Sequence, residues 1–107
     1  MKKYYKLIRD RIPEIIEADN EKPVVRVLDN VEFKKELLKK LIEEAQEASE
    51  AGGDKKELQK EIGDILEIME YVVQVFGLDK KQIYATKQKR KDSRGGFDKK
   101  LFLEYTE

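Results

Sequence analysis

Four carboxylates at helical spacing are the residues of this chain best suited to chemistry. An ExxE pattern, Glu44 and Glu47, precedes Gly52-Gly53, and an ExxD pattern follows it, Glu61 and Asp64. Residues three apart share a helix face, so each pair presents two carboxylates to the same neighbour. If the segments fold back as antiparallel helices about the glycines, Glu44 and Glu61 fall at one level and all four side chains converge. Such a cluster must be protonated or hold a hard cation, because unpaired buried charge is costly.

The angular positions of these carboxylates distinguish them from ordinary surface charge. At about 100° per residue, the apolar residues of each segment occupy one broad arc, as in an amphipathic helix. In the first segment Glu44 projects inside the arc and Glu47 lies at its margin. In the second segment Glu61 lies inside the arc and Asp64 at its edge. The alternative is solvated surface charge, which would lie opposite the arc, as Glu50 does.

The composition restricts which chemistry is available. The 107 residues have zero net charge, 43% of them are charged, and there is no Cys and no His. Disulfides, thiolate nucleophiles, zinc fingers and histidine-based triads are therefore excluded. Hydrolysis would have to use carboxylates, a metal-activated water, or Lys, Tyr and Ser groups. With no global field, no signal-peptide pattern and no apolar run of about 18 residues, we expect a cytoplasmic protein that binds neither nucleic acid nor membrane.

Start and stop signals delimit two long helices around the carboxylates. Asp29, with Glu32 three residues later, predicts an N-cap and capping box, and Gly52-Gly53 ends this first long helix. Asp54 repeats the capping pattern, and the second long helix runs to Phe76-Gly77. The two helices are predicted to form an antiparallel hairpin.

Two shorter helices flank this hairpin. Residues 10–13 (DRIP) read as a helix start, because Pro is favoured in the first turn, and this helix runs to about Ala18. Asp79 and Gln82 open another helix, which continues through about Lys91.

The predicted fold class is all-α, a single domain over residues 1–107 with the hairpin at its centre. Short extended segments at 24–28 and 101–105 are candidates for pairing with each other. The apolar arcs of the long helices are wider than one partner helix can cover, and Ile68 and Val75 extend the second arc sideways. This width predicts a four-helix-bundle-like core completed by a second subunit.

Basic residues crowd into the C-terminal segment. Nine Lys and Arg residues lie between Asp79 and Lys100, against three acidic residues. One interpretation is a solvated helix end whose positive charge suits the C-terminal dipole. The other is a phosphate clamp, in which Arg94 supplies a guanidinium beside the backbone amides of Gly95-Gly96.

Three parts of the chain together resemble the all-α nucleoside triphosphate pyrophosphohydrolases, the superfamily of MazG and phosphoribosyl-ATP pyrophosphohydrolase. Residues 43–47 (EEAQE) and 61–64 (EIGD) match the EExxE…ExxD signature. Residues 5–13 (YKLIRDRIP) and 94–97 (RGGF) are similar to segments of the small, single-domain MazG-like branch. The resemblance spans nearly the whole chain.

The resemblance implies Mg²⁺-dependent cleavage of the α–β phosphoanhydride of a nucleoside triphosphate or related nucleotide. The products would be a monophosphate and pyrophosphate, in clean-up of the nucleotide pool. Glu44, Glu47, Glu61 and Asp64 would ligate the Mg²⁺, for which Mn²⁺ is an alternative. Glu43 completes the expected catalytic set, but its helical angle points off the apolar arc. An outer-shell role or a contact across a subunit interface is therefore expected for Glu43.

Further residues follow from the same resemblance. One carboxylate would act as general base, since no His is present. Tyr71, Tyr84 or Phe97 could stack on a base, although core packing is the commoner role of such rings. The expected phosphate-binding residues are Lys87, Arg90, Lys91, Arg94, Arg9 and Arg11. Lys6 could join them, and for Lys6, Arg9 and Arg11 the helix-start interpretation is equally good.

The implied partners are a nucleotide substrate and further copies of the chain, as a homodimer or homotetramer. Two alternatives to the enzyme remain open. One is a non-catalytic helical module that binds a nucleotide or a partner without turnover. The other is a structural helical bundle whose carboxylates pair with Lys residues.

Overall fold

Four α-helices and no strands make up the fold in a computed structural model, which describes the whole chain from Met1 to Glu107. The helices are α1 (Ile12–Ala18), α2 (Asn30–Glu50), α3 (Lys55–Val75) and α4 (Lys80–Arg94). The predicted all-α class is confirmed. No helix is both long and apolar enough to cross a membrane.

The chain divides into two compact units, Met1–Gly77 and Leu78–Glu107. The first contains α1, α2 and α3, and the second contains α4 and the residues after it. Residues 24–28 and 101–105 lie outside the helices, and their pairing stays a prediction. The assignment of the whole chain to one domain also stays a prediction.

Helices α2 and α3, each of 21 residues, pack against each other as the predicted hairpin. Residues 51–54 connect them, so the chain must reverse direction within a few residues. The ammonium group of Lys34 lies 5.4 Å from the centroid of the Phe76 ring. This contact joins the start of α2 to the end of α3, as an antiparallel pair requires.

The predicted N-cap of α2 is present, but the predicted capping box is incomplete. The Asp29 carboxylate accepts a hydrogen bond of 2.8 Å from the backbone amide of Glu32. The Glu32 carboxylate does not bond back to the cap. It pairs with the guanidinium of Arg26, with a shortest distance of 2.7 Å. Two charge-assisted bonds to a planar fork are stronger than one bond to a neutral amide.

The turn of the hairpin and the start of α3 follow the sequence closely. Gly52 has φ +58°, the left-handed conformation that glycine adopts without steric cost. The Asp54 carboxylate then accepts hydrogen bonds of 3.1 Å from the amides of Lys56 and Glu57. These bonds satisfy two of the amides that the first turn of a helix leaves without partners.

Helix α4 is longer than predicted. It continues three residues beyond Lys91, to Arg94, and Gly95 follows with φ +85°. The helix ends at Gly95, where the backbone leaves the right-handed helical region, and none of the residues before Gly95 is a helix breaker.

The packed interior between α2 and α3 is small and partly charged. Its buried hydrophobic residues are Leu37 and Ile68, and its buried charged residues are Glu44 and Glu61. The apolar arcs continue onto an exposed surface on one side of the hairpin, which we call the apolar face. It comprises Leu38, Ile42 and Ala45 of α2, and Ile62, Leu66 and Met69 of α3.

We expect Asp54→Ala to lower the free energy of unfolding by about 1 kcal/mol, because two amides of α3 lose their acceptor. Urea denaturation followed by circular dichroism measures the change. Asp54→Asn is the matched control and should retain most of the stability, since Asn also caps helices. An equal loss in both variants would contradict the capping role.

Candidate metal centre

Two glutamates face each other inside the hairpin. Glu44 of α2 is 7% exposed and Glu61 of α3 is 5% exposed. Their Oε1 atoms lie 3.8 Å and 3.7 Å from the ammonium groups of Lys40 and Lys60, respectively. Their Oε2 atoms are buried and have no hydrogen-bond partner. Because more than about nine in ten buried polar groups are paired, two orphan oxygens together indicate a place that takes a proton or a cation.

The carboxylates form two triads that share Glu44. One consists of Glu44, Glu61 and Asp64, and the other of Glu43, Glu44 and Glu47. Within each triad, one oxygen from every residue lies within 4.8 Å of the others. The predicted set is therefore brought together around Glu44, with Glu47 and Asp64 in different triads. All donors are carboxylate oxygens, which fit a hard divalent cation such as Mg²⁺ or Mn²⁺.

Burial of the shared residue follows from its helical position. Glu44 lies inside the apolar arc of α2, level with Glu61 about the turn, so forming the hairpin removes both from water. Asp64 is half-buried and Glu47 is exposed, in agreement with their predicted positions at the edges of the arcs.

Glu43 lies outside the buried pair. It is half-buried, and its carboxylate lies 3.3 Å from the ammonium group of Lys40 and 3.5 Å from that of Lys6. It nevertheless belongs to the second triad, with Glu44 and Glu47. Lys40 was not anticipated as a site residue, although its position three and four residues before the two glutamates is the spacing that signals such contacts.

Arg9 contacts the first triad from the non-helical N-terminal segment. Its guanidinium lies 2.9 Å from the Asp64 carboxylate and 2.6 Å from that of Glu67. Glu67 was also missed, although it follows Asp64 at the i+3 spacing that continues the same helix face. Arg11 is not part of the cluster, because it pairs with Glu14 of α1.

The remaining predicted phosphate-binding residues lie on α4, in the second unit, and all are exposed. Lys91 and Arg94 occupy the last turn of α4, where positive charge stabilises the C-terminal end of the helix dipole. Lys87 and Arg90 precede them on the same helix. Binding of phosphate by these four residues stays a prediction.

Burial raises the pKa of Glu44 to about 7. The adjacent carboxylate of Glu61 raises this pKa further, as do the negative charges of Glu47 and Asp64. Near neutral pH Glu44 therefore retains a proton for part of the time. A cation bound between the carboxylates would replace that proton, because both neutralise the same oxygens.

We expect the metal-free protein to lose stability as the pH rises from about 5 to 8. The pKa of Glu44 is about 7 in the folded protein and near 4.5 in the unfolded chain, so the folded state holds this proton more tightly. The resulting stabilisation is complete below pH 4.5 and is lost as the pH rises through about 7. The loss should be on the order of 2–3 kcal/mol. Chemical denaturation in chelator across this range measures it.

The controls for this prediction are two Glu→Gln variants. Glu44→Gln places a neutral amide in the buried position, so its pH dependence should be nearly flat between pH 5 and 8. Glu50→Gln makes the same change on the exposed side of α2 and should behave as wild type. A decline as steep in Glu44→Gln as in wild type would show that another group is responsible.

Comparisons of this chain with models of protein families, with curated proteins and with solved structures found no match. Membership of the MazG-like superfamily therefore stays a prediction from the sequence motifs.

Proposed function

We propose that this chain is a Mg²⁺-dependent nucleotide pyrophosphohydrolase. It would cleave the α–β phosphoanhydride of a nucleoside triphosphate, or of a related nucleotide, to a monophosphate and pyrophosphate. The observation that carries the proposal is the buried pair of Glu44 and Glu61 with its unpartnered Oε2 atoms. Hydrophobic residues at these positions would stabilise a helix pair at least as well, so the carboxylates have a use other than stability.

The residues of the centre would have different roles in the reaction. Glu44, Glu47, Glu61 and Asp64 would hold the ion, and one carboxylate of the cluster would accept a proton from the attacking water. When bound, Mg²⁺ would supply a water of lowered pKa and neutralise charge on the phosphates. Arg9 would orient Asp64 and add positive charge beside the phosphates.

Other residues would complete the phosphate site. Lys6, which pairs with Glu43, is a second cation beside the carboxylates. The basic residues of α4, in the second unit, stay candidates for phosphate binding from the sequence pattern alone: Lys87, Arg90, Lys91 and Arg94. Arg9 and Lys6 would balance part of the charge of a polyphosphate, alongside the ion.

A second copy of the chain would cover the apolar face of the hairpin. Ile42 is 68% exposed and Leu66 is 53% exposed, although both lie on long helices whose packed interior is small. Contiguous exposed apolar surface of this kind marks an interaction site. Two hairpins packed through this face would give a four-helix core, in a homodimer or a homotetramer.

We expect Leu66→Lys to convert the protein from an oligomer to a monomer, because the interface would have to bury an unpaired ammonium group. Sedimentation or light scattering measures the molar mass. Val27→Lys, at a 97% exposed valine outside the hairpin, should leave the mass unchanged. A monomeric wild type, or an oligomeric Leu66→Lys variant, would contradict the proposed interface.

We expect pyrophosphate release from at least one nucleotide in a panel of ribo- and deoxynucleoside triphosphates, in Mg²⁺ but not in chelator. Glu61→Gln should reduce release at least a hundredfold, since it removes a charged oxygen donor from the centre. It should also abolish the increase in melting temperature that Mg²⁺ produces. Glu50→Gln is the matched control and should retain both properties.

The same experiment separates the enzyme from its alternatives. Stabilisation by Mg²⁺ without release from any nucleotide would favour the non-catalytic binding module. Equal stabilisation of wild type and Glu61→Gln by Mg²⁺ would contradict the metal centre. The four carboxylates would then belong to a structural bundle.

A further inference from the structure

A groove runs over the open end of the hairpin, away from the turn. It consists of two adjoining shallow cavities of about 410 Å³ and 240 Å³, both widely open to solvent, which share Tyr71 and Gln74 as lining residues. The larger cavity is also lined by Asn30, Phe33, Lys34 and Val75. The smaller one is also lined by Glu67 and Glu70.

The groove adjoins the metal centre through Glu67 and Arg9. Glu67 lines the smaller cavity, and its carboxylate is bonded to Arg9, which also bonds Asp64 of the first triad. Tyr71 lies seven residues after Asp64, about two turns and 10 Å further along α3 and on nearly the same helix face. A ligand held at the carboxylates by one end could therefore lie along α3 and reach Tyr71 with the other.

The lining of the larger cavity suits a flat heteroaromatic ring. Tyr71 is 46% exposed, so packing within the hairpin leaves much of its ring accessible, and Phe33 offers a second apolar ring. The amides of Asn30 and Gln74 each provide donors and an acceptor for the edge of such a ring. Aromatic side chains that stack on a base, with a few polar groups for its edge, are the usual composition of base-binding sites.

We propose that this groove is the base-binding subsite of the nucleotide substrate. Tyr71 stacks on the base, Asn30 and Gln74 bond its edge, and the sugar spans the interval along α3 between Asp64 and Tyr71. The inference rests on the proposed function, because the phosphates must lie at the carboxylates for the base to reach the groove.

The test compares two ligands that share phosphates and differ in the base. Binding of non-hydrolysable α,β-methylene nucleoside triphosphates and of inorganic tripolyphosphate is measured by calorimetry in Mg²⁺, on the 107-residue chain. For the tightest-binding nucleotide, Tyr71→Ala should raise the Kd roughly tenfold, and the Kd of tripolyphosphate should not change. Tyr71→Phe keeps the ring and should bind the nucleotide nearly as wild type does.

A second pair of variants tests the edge contacts. Gln74→Ala should weaken nucleotide binding and change the preference among bases, because it removes a polar group from the groove. Gln59→Ala makes the same substitution on an exposed part of α3 outside the groove and should have no effect. The Mg²⁺ affinity of each variant, measured in parallel, verifies that its metal centre is intact.

The outcomes distinguish this inference from the function on which it rests. Failure of the wild type to bind Mg²⁺ and every nucleotide would overturn both. If nucleotides bind and release pyrophosphate, but Tyr71→Ala and Gln74→Ala leave the nucleotide Kd unchanged, the base lies elsewhere and only the inference fails. Equal weakening of nucleotide and tripolyphosphate binding by Tyr71→Ala would also overturn it, because the effect would not depend on the base.

Discussion

The rest of this structure depends on the desolvation of two carboxylates that face each other between α2 and α3. Glu44 and Glu61 cannot both remain ionised and unpaired in this position, since burying such charges costs several kcal/mol each. The chain partly meets this requirement with the ammonium groups of Lys40 and Lys60, which reach one oxygen of each carboxylate. The second oxygens stay without partners, so a proton or a cation must complete the neutralisation.

The same constraint explains why the hairpin buries so little hydrophobic surface. The middle of its interface is occupied by charge, and Leu37 and Ile68 are the hydrophobic residues that become buried. The half-buried Asp64 borders the carboxylates, whereas Ile42 and Leu66 remain exposed on the apolar face. The hairpin thus separates a charged side from an apolar side, which would allow an oligomer to form without covering the centre.

Local signals predicted the helices, and helical geometry predicted the buried pair, because caps, glycine turns and apolar periodicity depend on neighbouring residues. The burial of Glu44 follows from its angle within the apolar arc and its distance from the turn. The contact between Arg9 and Asp64 could not be derived in this way. It joins residues 55 positions apart through a segment without helical periodicity, whose path is decided by tertiary contacts. The sharing of Glu44 between two triads depends on side-chain rotamers, which the sequence pattern does not specify.

The cations around the carboxylates determine which ligand the centre suits. The guanidinium of Arg9 lies 2.9 Å from the Asp64 carboxylate. It would lower the affinity of Asp64 for a free metal ion, because the two positive charges repel each other. Under the proposed function, the same guanidinium would attract the phosphates that a nucleotide carries with its ion. Lys6, which pairs with Glu43, would likewise repel a free metal ion and attract phosphate. Under the proposed function, carboxylates bordered by the chain's own cations would favour a metal–polyphosphate complex over the bare ion. The charges from Glu44 outward, negative and then positive, are complementary to the positive metal and negative phosphates of such a complex.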